Sequence, residues 1–186
     1  IGSVADALPV TFRSGLRRVL DHRLTVGPPG RLRGPRRNLM KLLRGFDLPF
    51  VERYLTYSSY YHEGELASLL SPELKSEVRG HDPLGAHRRY FERVAGEHWL
   101  NQLLYVDAKT FLPCLNLAYT DKMSMAASTE VRVPFLDDEI VGLAARIPPE
   151  LKLRRLTRKY ILKRTMEGTL PREVIRRPKA GFGAPV

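Results

Sequence analysis

The stretch Leu115-Asn116-Leu117-Ala118-Tyr119-Thr120-Asp121-Lys122-Met123-Ser124-Met125-Ala126-Ala127-Ser128-Thr129-Glu130-Val131-Arg132-Val133-Pro134-Phe135-Leu136-Asp137 changes period halfway. Leu115, Tyr119, Met123 and Ala127 recur every fourth residue and so share one face of a helix. From Ser128 to Phe135 the residues are β-branched and alternate, which predicts a strand with Thr129, Val131, Val133 and Phe135 on one side. Glu130 and Arg132 then face the other side together. Asp137 has the chemistry of an N-cap for a helix opening at Asp138 and Glu139, with Ile140, Val141, Leu143 and Ala144 as its apolar face and Pro148-Pro149 as its stop.

Helical patterns continue on both sides. Downstream, Thr157 is the expected cap of a helix carrying Tyr160, Ile161 and Leu162, with Lys163 and Arg164 in its last turn and Gly168 at its end. Pro171 opens a short helix to Arg177, and Pro178 to Gly183 reads as a loop. Upstream, Leu84–Leu117 is helical in pattern, with Tyr90, Phe91, Val94, Trp99, Leu103, Leu104 and Val106 as expected core and Pro113 as an interruption. Ser71-Pro72-Glu73 is a helix start, combining a cap, a proline at the first position and an acid that suits the dipole. Leu39 to Tyr61 carries apolar residues at spacings of three and four. A short amphipathic helix is expected near Phe12–Leu20, before a connector at Gly27–Pro35. The fold class is therefore mainly α.

At 186 residues, with 43% apolar and 27% charged residues, the chain can bury one core and does not have a disordered composition. Its single cysteine, Cys114, cannot form an internal disulfide, and its five histidines lack metal-ligand spacing, so no metal site is expected. The longest apolar run, Ile140–Ala145, falls far short of the ~20 residues a membrane helix requires. A reducing, cytoplasmic setting with no membrane contact fits. Ile1 at the start and a loop-like end suggest a piece of a longer protein.

The net charge of +11 is unevenly placed. Residues 1–53 carry 11 basic and 4 acidic groups, residues 54–150 carry 9 and 14, and residues 151–186 carry 11 and 2. Such basic ends attract polyanions, either nucleic acid or nucleotide phosphates, although from charge alone a solvated arginine-rich surface is the preferred reading.

Glycine-rich phosphate loops, HExxH, GxSxG and Cys/His clusters are absent. What remains is Glu130, able to accept a proton from an attacking amine, with Arg132 to orient it. On the residues alone the preferred reading is an exposed ion pair worth under about 1 kcal/mol. Lys179, between Pro178 and Gly181, could close over phosphate as a point charge, or be one more solvated cation. Asp121-Lys122 reads as a helix surface pair, and Met123 and Met125 as packing residues.

The run Tyr119–Asp137 closely resembles the signature of the synthetase domain of glutamine-hydrolysing asparagine synthetases. Asp107–Pro113, Ile147–Lys152, Arg158–Lys163 and Arg177–Pro185 extend the resemblance in order. It is dense over residues 107–185 and faint before Leu103, so residues 1–106 are expected to be a variable helical region and 107–186 the signature region of one partial domain. The resemblance implies the helical C-terminal portion of an α/β ATP-pyrophosphatase (PP-loop) fold. It also implies ATP and Mg2+ as cofactors, with aspartate activated as β-aspartyl-AMP and ammonia, drawn from glutamine at an N-terminal glutaminase domain of the same polypeptide, displacing AMP. Glu130 and Lys179 match the family's catalytic positions. Lys159 becomes a weaker phosphate-binding candidate, and Arg132 an aspartate-side contact. The family also leaves room for a homodimer.

The glutaminase nucleophile and the Ser-Gly-Gly-x-Asp-Ser pyrophosphate loop are missing from these residues, so the 186 residues alone are expected to be inactive. Thr129 stands where leucine is frequent, and Asp121-Lys122 where Asp-Arg is frequent. Two other readings stand: a related amidotransferase acting on another carboxylate, and a basic helical nucleic-acid-binding module. The second requires cations on one groove-sized face.

Overall fold

A computed structural model describes residues 14–15, 43, 45–59, 61 and 63–178. The expected connector at Gly27–Pro35, Lys179 and its loop, and all but Ser14 and Gly15 of the helix near Phe12–Leu20 lie outside the described residues. The described part is mainly helical, as the sequence pattern predicts, and divides into two compact units, one ending at Ala95 and the other starting at Gly96.

In the first unit, α1 (Phe50–Ser58) follows Pro49, and α2 (Glu63–Leu69) leads to α3 (Pro72–Glu77). The Ser71 hydroxyl accepts from the Leu74 N–H at 3.3 Å, so the expected cap forms. The Glu73 carboxyl is held below its ordinary range, by a hydrogen bond from its own backbone first and by Ser71 second. Helix α4 (Gly85–Arg93) packs on α1: Phe91, 3% exposed, receives the edges of Phe50 and Tyr54 at centroid distances of 6.0 and 5.3 Å. Arg88 forks onto Glu52, with Nη1–Oε1 at 2.8 Å and Nη2–Oε2 at 3.3 Å, while its Nε donates to Asp82 at 3.2 Å. A second Asp82 oxygen accepts from the Leu84 N–H at the start of α4.

Buried Arg53 in α1 is satisfied by main-chain carbonyls, donating from Nε to Gly45 at 3.2 Å and from Nη2 to Leu48 at 2.8 Å. A buried guanidinium without such acceptors would be strongly destabilising.

In the second unit, α5 (Trp99–Lys109) buries Val106 completely. Trp99 and Leu104 are exposed rather than core, so only part of the expected stripe is covered. The expected interruption is present: α5 ends at Lys109, Thr110 leaves helical backbone at φ −123° and ψ −74°, and Pro113 sits at the start of the next helical segment. A π-helical segment, Leu112–Leu117, carries helical backbone into α6 (Ala118–Ala126), with Pro113 near its start, where the missing N–H is least costly. Met123 and Met125 are each 57% exposed, so among the described residues neither is buried as its reading as a packing residue expects.

The segment after α6 does not form the expected strand, and Pro134–Leu136 is a 3₁₀ turn. β-Branched alternation favours extended backbone, yet a strand needs a ladder partner, and among the described residues none pairs with it. Helix α7 (Asp138–Arg146) opens on the expected cap, with Asp137 Oδ1 accepting from the N–H groups of Glu139 at 3.0 Å and Ile140 at 3.4 Å. Pro148 follows its end, but Pro149 then begins a further short helix, α8 (Pro149–Lys152), tied to α5 by Lys152 Nζ donating to Asn101 at 3.1 Å.

Strands β1 (Leu153–Arg154) and β2 (Thr157–Arg158) form an antiparallel hairpin around Arg155-Leu156, pairing Leu153 with Arg158 and Arg154 with Thr157. Thr157 is therefore a ladder residue and not the cap of α9 (Tyr160–Thr165), whose N-cap position is Lys159. Helix α9 ends before Gly168, with Lys163 and Arg164 in its last turn as expected. Helix α10 (Arg172–Arg176) follows Pro171.

Candidate functional site

The end of α6 determines where the candidate carboxylate goes. Ser128 donates its N–H to the Met125 carbonyl and Thr129 donates to the Ser124 carbonyl, both at 2.9 Å. This pair of bonds is a Schellman ending, with Ser128 in the left-handed position at φ 54°. Glycine usually fills that position, so the sequence offered no signal for it. The reversal carries the following residues back past the last turns of α6. A shallow groove of about 550 Å³ results, lined by Asp121 and Met125 from α6 and by Ser128, Glu130, Val131 and Arg132.

Glu130 and Arg132 do face the same way: Arg132 Nη2 lies 2.5 Å from Glu130 Oε1, with both side chains largely exposed. The ion pair preferred on the residues alone is present, and it lines a concavity. Asp121, read from sequence as half of a surface pair, brings a second carboxylate to the same groove. A second groove, of about 460 Å³, shares Asp121 and Val131 with the first and is otherwise mostly apolar, with Leu117, Val133 and Leu136 in its lining.

Lys159 stands on another element, between β2 and α9, with left-handed backbone at φ 55° and ψ 40°. The hairpin beside it is cationic. Arg154 reaches the Tyr160 hydroxyl at 2.5 Å and lies 4.9 Å from that ring's centroid, while Leu156 at the tip is 93% exposed. Among the described residues no group of three or more His, Cys, Asp or Glu side chains could hold a metal ion, and no helix is long and apolar enough to cross a membrane.

Chemically, the groove offers an ionisable carboxylate able to take up a proton, a guanidinium that can orient it or pair with a substrate carboxylate, and open access for a ligand.

A family model described as asparagine synthase matches residues 16–186. The chain is 34% identical over 176 residues to asparagine synthetase [glutamine-hydrolyzing] 1 of Bacillus subtilis, covering 93% of this chain and 26% of that protein. It is 35% identical over 136 residues to a putative asparagine synthetase [glutamine-hydrolyzing] of Mycobacterium bovis, covering 71% and 21%. Against asparagine synthetase [glutamine-hydrolyzing] 3 of Bacillus subtilis it is 41% identical over 81 residues, covering 44% and 13%. The chain thus spans at most about a quarter of the length of these curated relatives. No solved structure matches.

Proposed function

The chain belongs to the asparagine synthase family, and from that premise we propose that it supplies the signature-bearing part of a glutamine-hydrolysing asparagine synthase, an ATP-dependent ligase. Its fold is read as the helical C-terminal portion of a PP-loop synthetase domain, with residues 107–186 as the signature region. In the reaction, an oxygen of the aspartate β-carboxylate attacks the α-phosphorus of ATP. Pyrophosphate leaves, and β-aspartyl-AMP is formed. Ammonia released from glutamine in a separate domain then attacks the acyl carbon, and AMP departs as asparagine forms. The setting is cytoplasmic.

The observation that carries this reading is the position of Glu130 on the wall of a groove, beside Arg132 and with Asp121 in the same lining. Attack by ammonia creates an N–H⁺ that must lose a proton, and in this reading Glu130 takes it. Arg132 fixes the direction of that carboxylate and can meet the carboxylate of the amino-acid substrate. Lys159, and Lys179 beyond the described residues, would stabilise charge on phosphate as the α-phosphate is attacked and pyrophosphate leaves. Magnesium accompanies ATP in such chemistry, but the described residues offer no cluster of ligands for it, and no step here is assigned to it.

The test is Glu130→Gln in the full-length protein that carries this segment. Amide synthesis should fall by about a hundredfold or more, the usual range for loss of a general base, while glutamine hydrolysis stays within twofold of its original rate by the same argument. Equal loss of both activities in a folded variant would return Glu130 to a structural pair with Arg132.

A further inference from the structure

We propose that Ser128 is a positioning residue, whose left-handed backbone aims the Glu130–Arg132 segment across the groove. The proposal rests on the reading of Glu130 given above and adds a residue to it.

Three observations converge. Ser128 has φ 54°, a conformation shared among the described non-glycine residues only by Arg155 and Lys159. The two hydrogen bonds that close α6 run from the N–H groups of Ser128 and Thr129, so the reversal is made by backbone. Glu130 lies two residues beyond the left-handed position, and Ser128 lines the same groove as Glu130, Arg132, Asp121 and Met125. If Ser128 took ordinary right-handed or extended angles, the two closing hydrogen bonds would be lost and the following residues would leave α6 in another direction. Glu130 would then no longer line the same groove as Asp121 and Met125. The Thr129 hydroxyl, donating to the Ala127 carbonyl at 3.2 Å, holds the next residue once the reversal is made.

A residue that acts through backbone shape has a distinctive substitution pattern. Glycine enters the left-handed region freely and asparagine enters it readily, whereas alanine resists and a β-branched side chain resists most. The pattern differs from that of a residue needed for its hydroxyl, where glycine, asparagine, alanine and valine would all fail alike. It also differs from that of a surface serine, where none would matter.

The experiment measures amide synthesis and glutamine hydrolysis by the full-length protein carrying Ser128→Gly, Ser128→Asn, Ser128→Ala or Ser128→Val, alone and together with Glu130→Gln. Ser128→Gly and Ser128→Asn should keep kcat for synthesis within about threefold, and Ser128→Val should lower it at least about tenfold with KM for ATP little changed, because reacting groups displaced by an ångström lose rate steeply. Glutamine hydrolysis, which belongs to a separate domain, should be normal in all, and the urea midpoint of each variant serves as the folding control. If Ser128→Val does not fold, Ser128→Ala against Ser128→Asn carries the comparison, with Ser128→Ala the slower. In the Glu130→Gln background, Ser128→Val should cost nothing further, since its effect passes through Glu130. Near-normal synthesis by both Ser128→Val and Ser128→Ala beside an inactive Glu130→Gln would overturn the positioning role alone. So would equal losses in Ser128→Gly and Ser128→Val. Near-normal synthesis by Glu130→Gln would instead overturn the reading of Glu130, and the positioning role would fall with it.

Discussion

Arg132 reaches Glu130 two positions back along the chain, Nη2 to Oε1 at 2.5 Å, in a pair whose side chains are 86% and 67% exposed. Water screens such a pair, so its contribution to stability is under about 1 kcal/mol. Its consequence is directional, since it narrows the orientations open to the carboxylate. Arg132→Ala should therefore leave the urea midpoint of the protein almost unmoved while lowering amide synthesis. Arg132→Lys should recover only part of the rate, because an ammonium lacks the planar fork that fixes a carboxylate. Loss of stability in proportion to loss of activity would show that the pair supports the fold instead.

Gly45 and Arg53 make a different kind of contact. A Cβ on Gly45 would lie 3.0 Å from Arg53 Cγ and 3.0 Å from Tyr57 Cε1. Arg53 has little freedom to yield, because its guanidinium is anchored on the Gly45 and Leu48 carbonyls. Gly45→Ala should destabilise the protein by about 1–3 kcal/mol, through overpacking and weakened hydrogen bonds to a buried charge. Denaturant unfolding measures it, and a midpoint equal to that of the parent would show that the Arg53 and Tyr57 side chains shift at no cost.

Tyr57 adds a pH dependence to the same cluster. Burial pushes its phenol above the ordinary value of 10.0, and the Arg53 charge opposes this only in part. The folded state thus holds the phenolic proton more tightly than the unfolded chain does. The associated stability is present below pH 10 and is lost as pH rises through the higher folded-state value. Tyr57→Phe should flatten that alkaline loss in a stability–pH profile, whereas an unchanged slope above pH 10 would place its origin in other groups.

The helix caps were legible because each is local. Ser71 and Asp137 act on N–H groups two or three residues away, and the sequence carries both partners. The hairpin at Leu153–Arg158 was not legible, since Arg155-Leu156 has none of the Gly or Asn chemistry that marks a two-residue turn. Alternation at Thr129–Phe135 indicated a strand that does not form, with Pro134 and Phe135 in a 3₁₀ turn, because a strand depends on a distant partner that local pattern cannot reveal. Distance likewise hid Glu52–Arg88, an ion pair between residues 36 positions apart. At the site, the i,i+2 spacing placed Glu130 and Arg132 together. Asp121 entered only through the reversal at Ser128, where a serine occupies a position that sequence rules reserve for glycine. The family, by contrast, was legible from the signature run, and the family model spans it.

Lys159 combines a charge with a left-handed backbone, at φ 55° and ψ 40°, and the two can be separated by substitution. Glycine removes the charge and relieves the strain, alanine removes the charge and leaves the strain as it is, and arginine keeps both. If the ammonium meets a phosphate of ATP in the ground state, Lys159→Gly and Lys159→Ala should weaken ATP binding alike, by about tenfold or more, the size of one charge-assisted hydrogen bond. Lys159→Arg should then retain most of the affinity. If the residue matters only through the turn that starts α9, Lys159→Gly and Lys159→Ala should bind ATP normally, and a β-branched Lys159→Val, which left-handed backbone resists most, should suffer. Lys179→Ala supplies the contrast. A lysine that meets pyrophosphate only as charge develops should, when lost, slow adenylation strongly while changing ATP affinity less. Calorimetry of ATP binding and pre-steady-state release of pyrophosphate, on the full-length variants, separate these outcomes. Normal affinity in Lys159→Gly together with normal pyrophosphate release would remove Lys159 from the phosphate site.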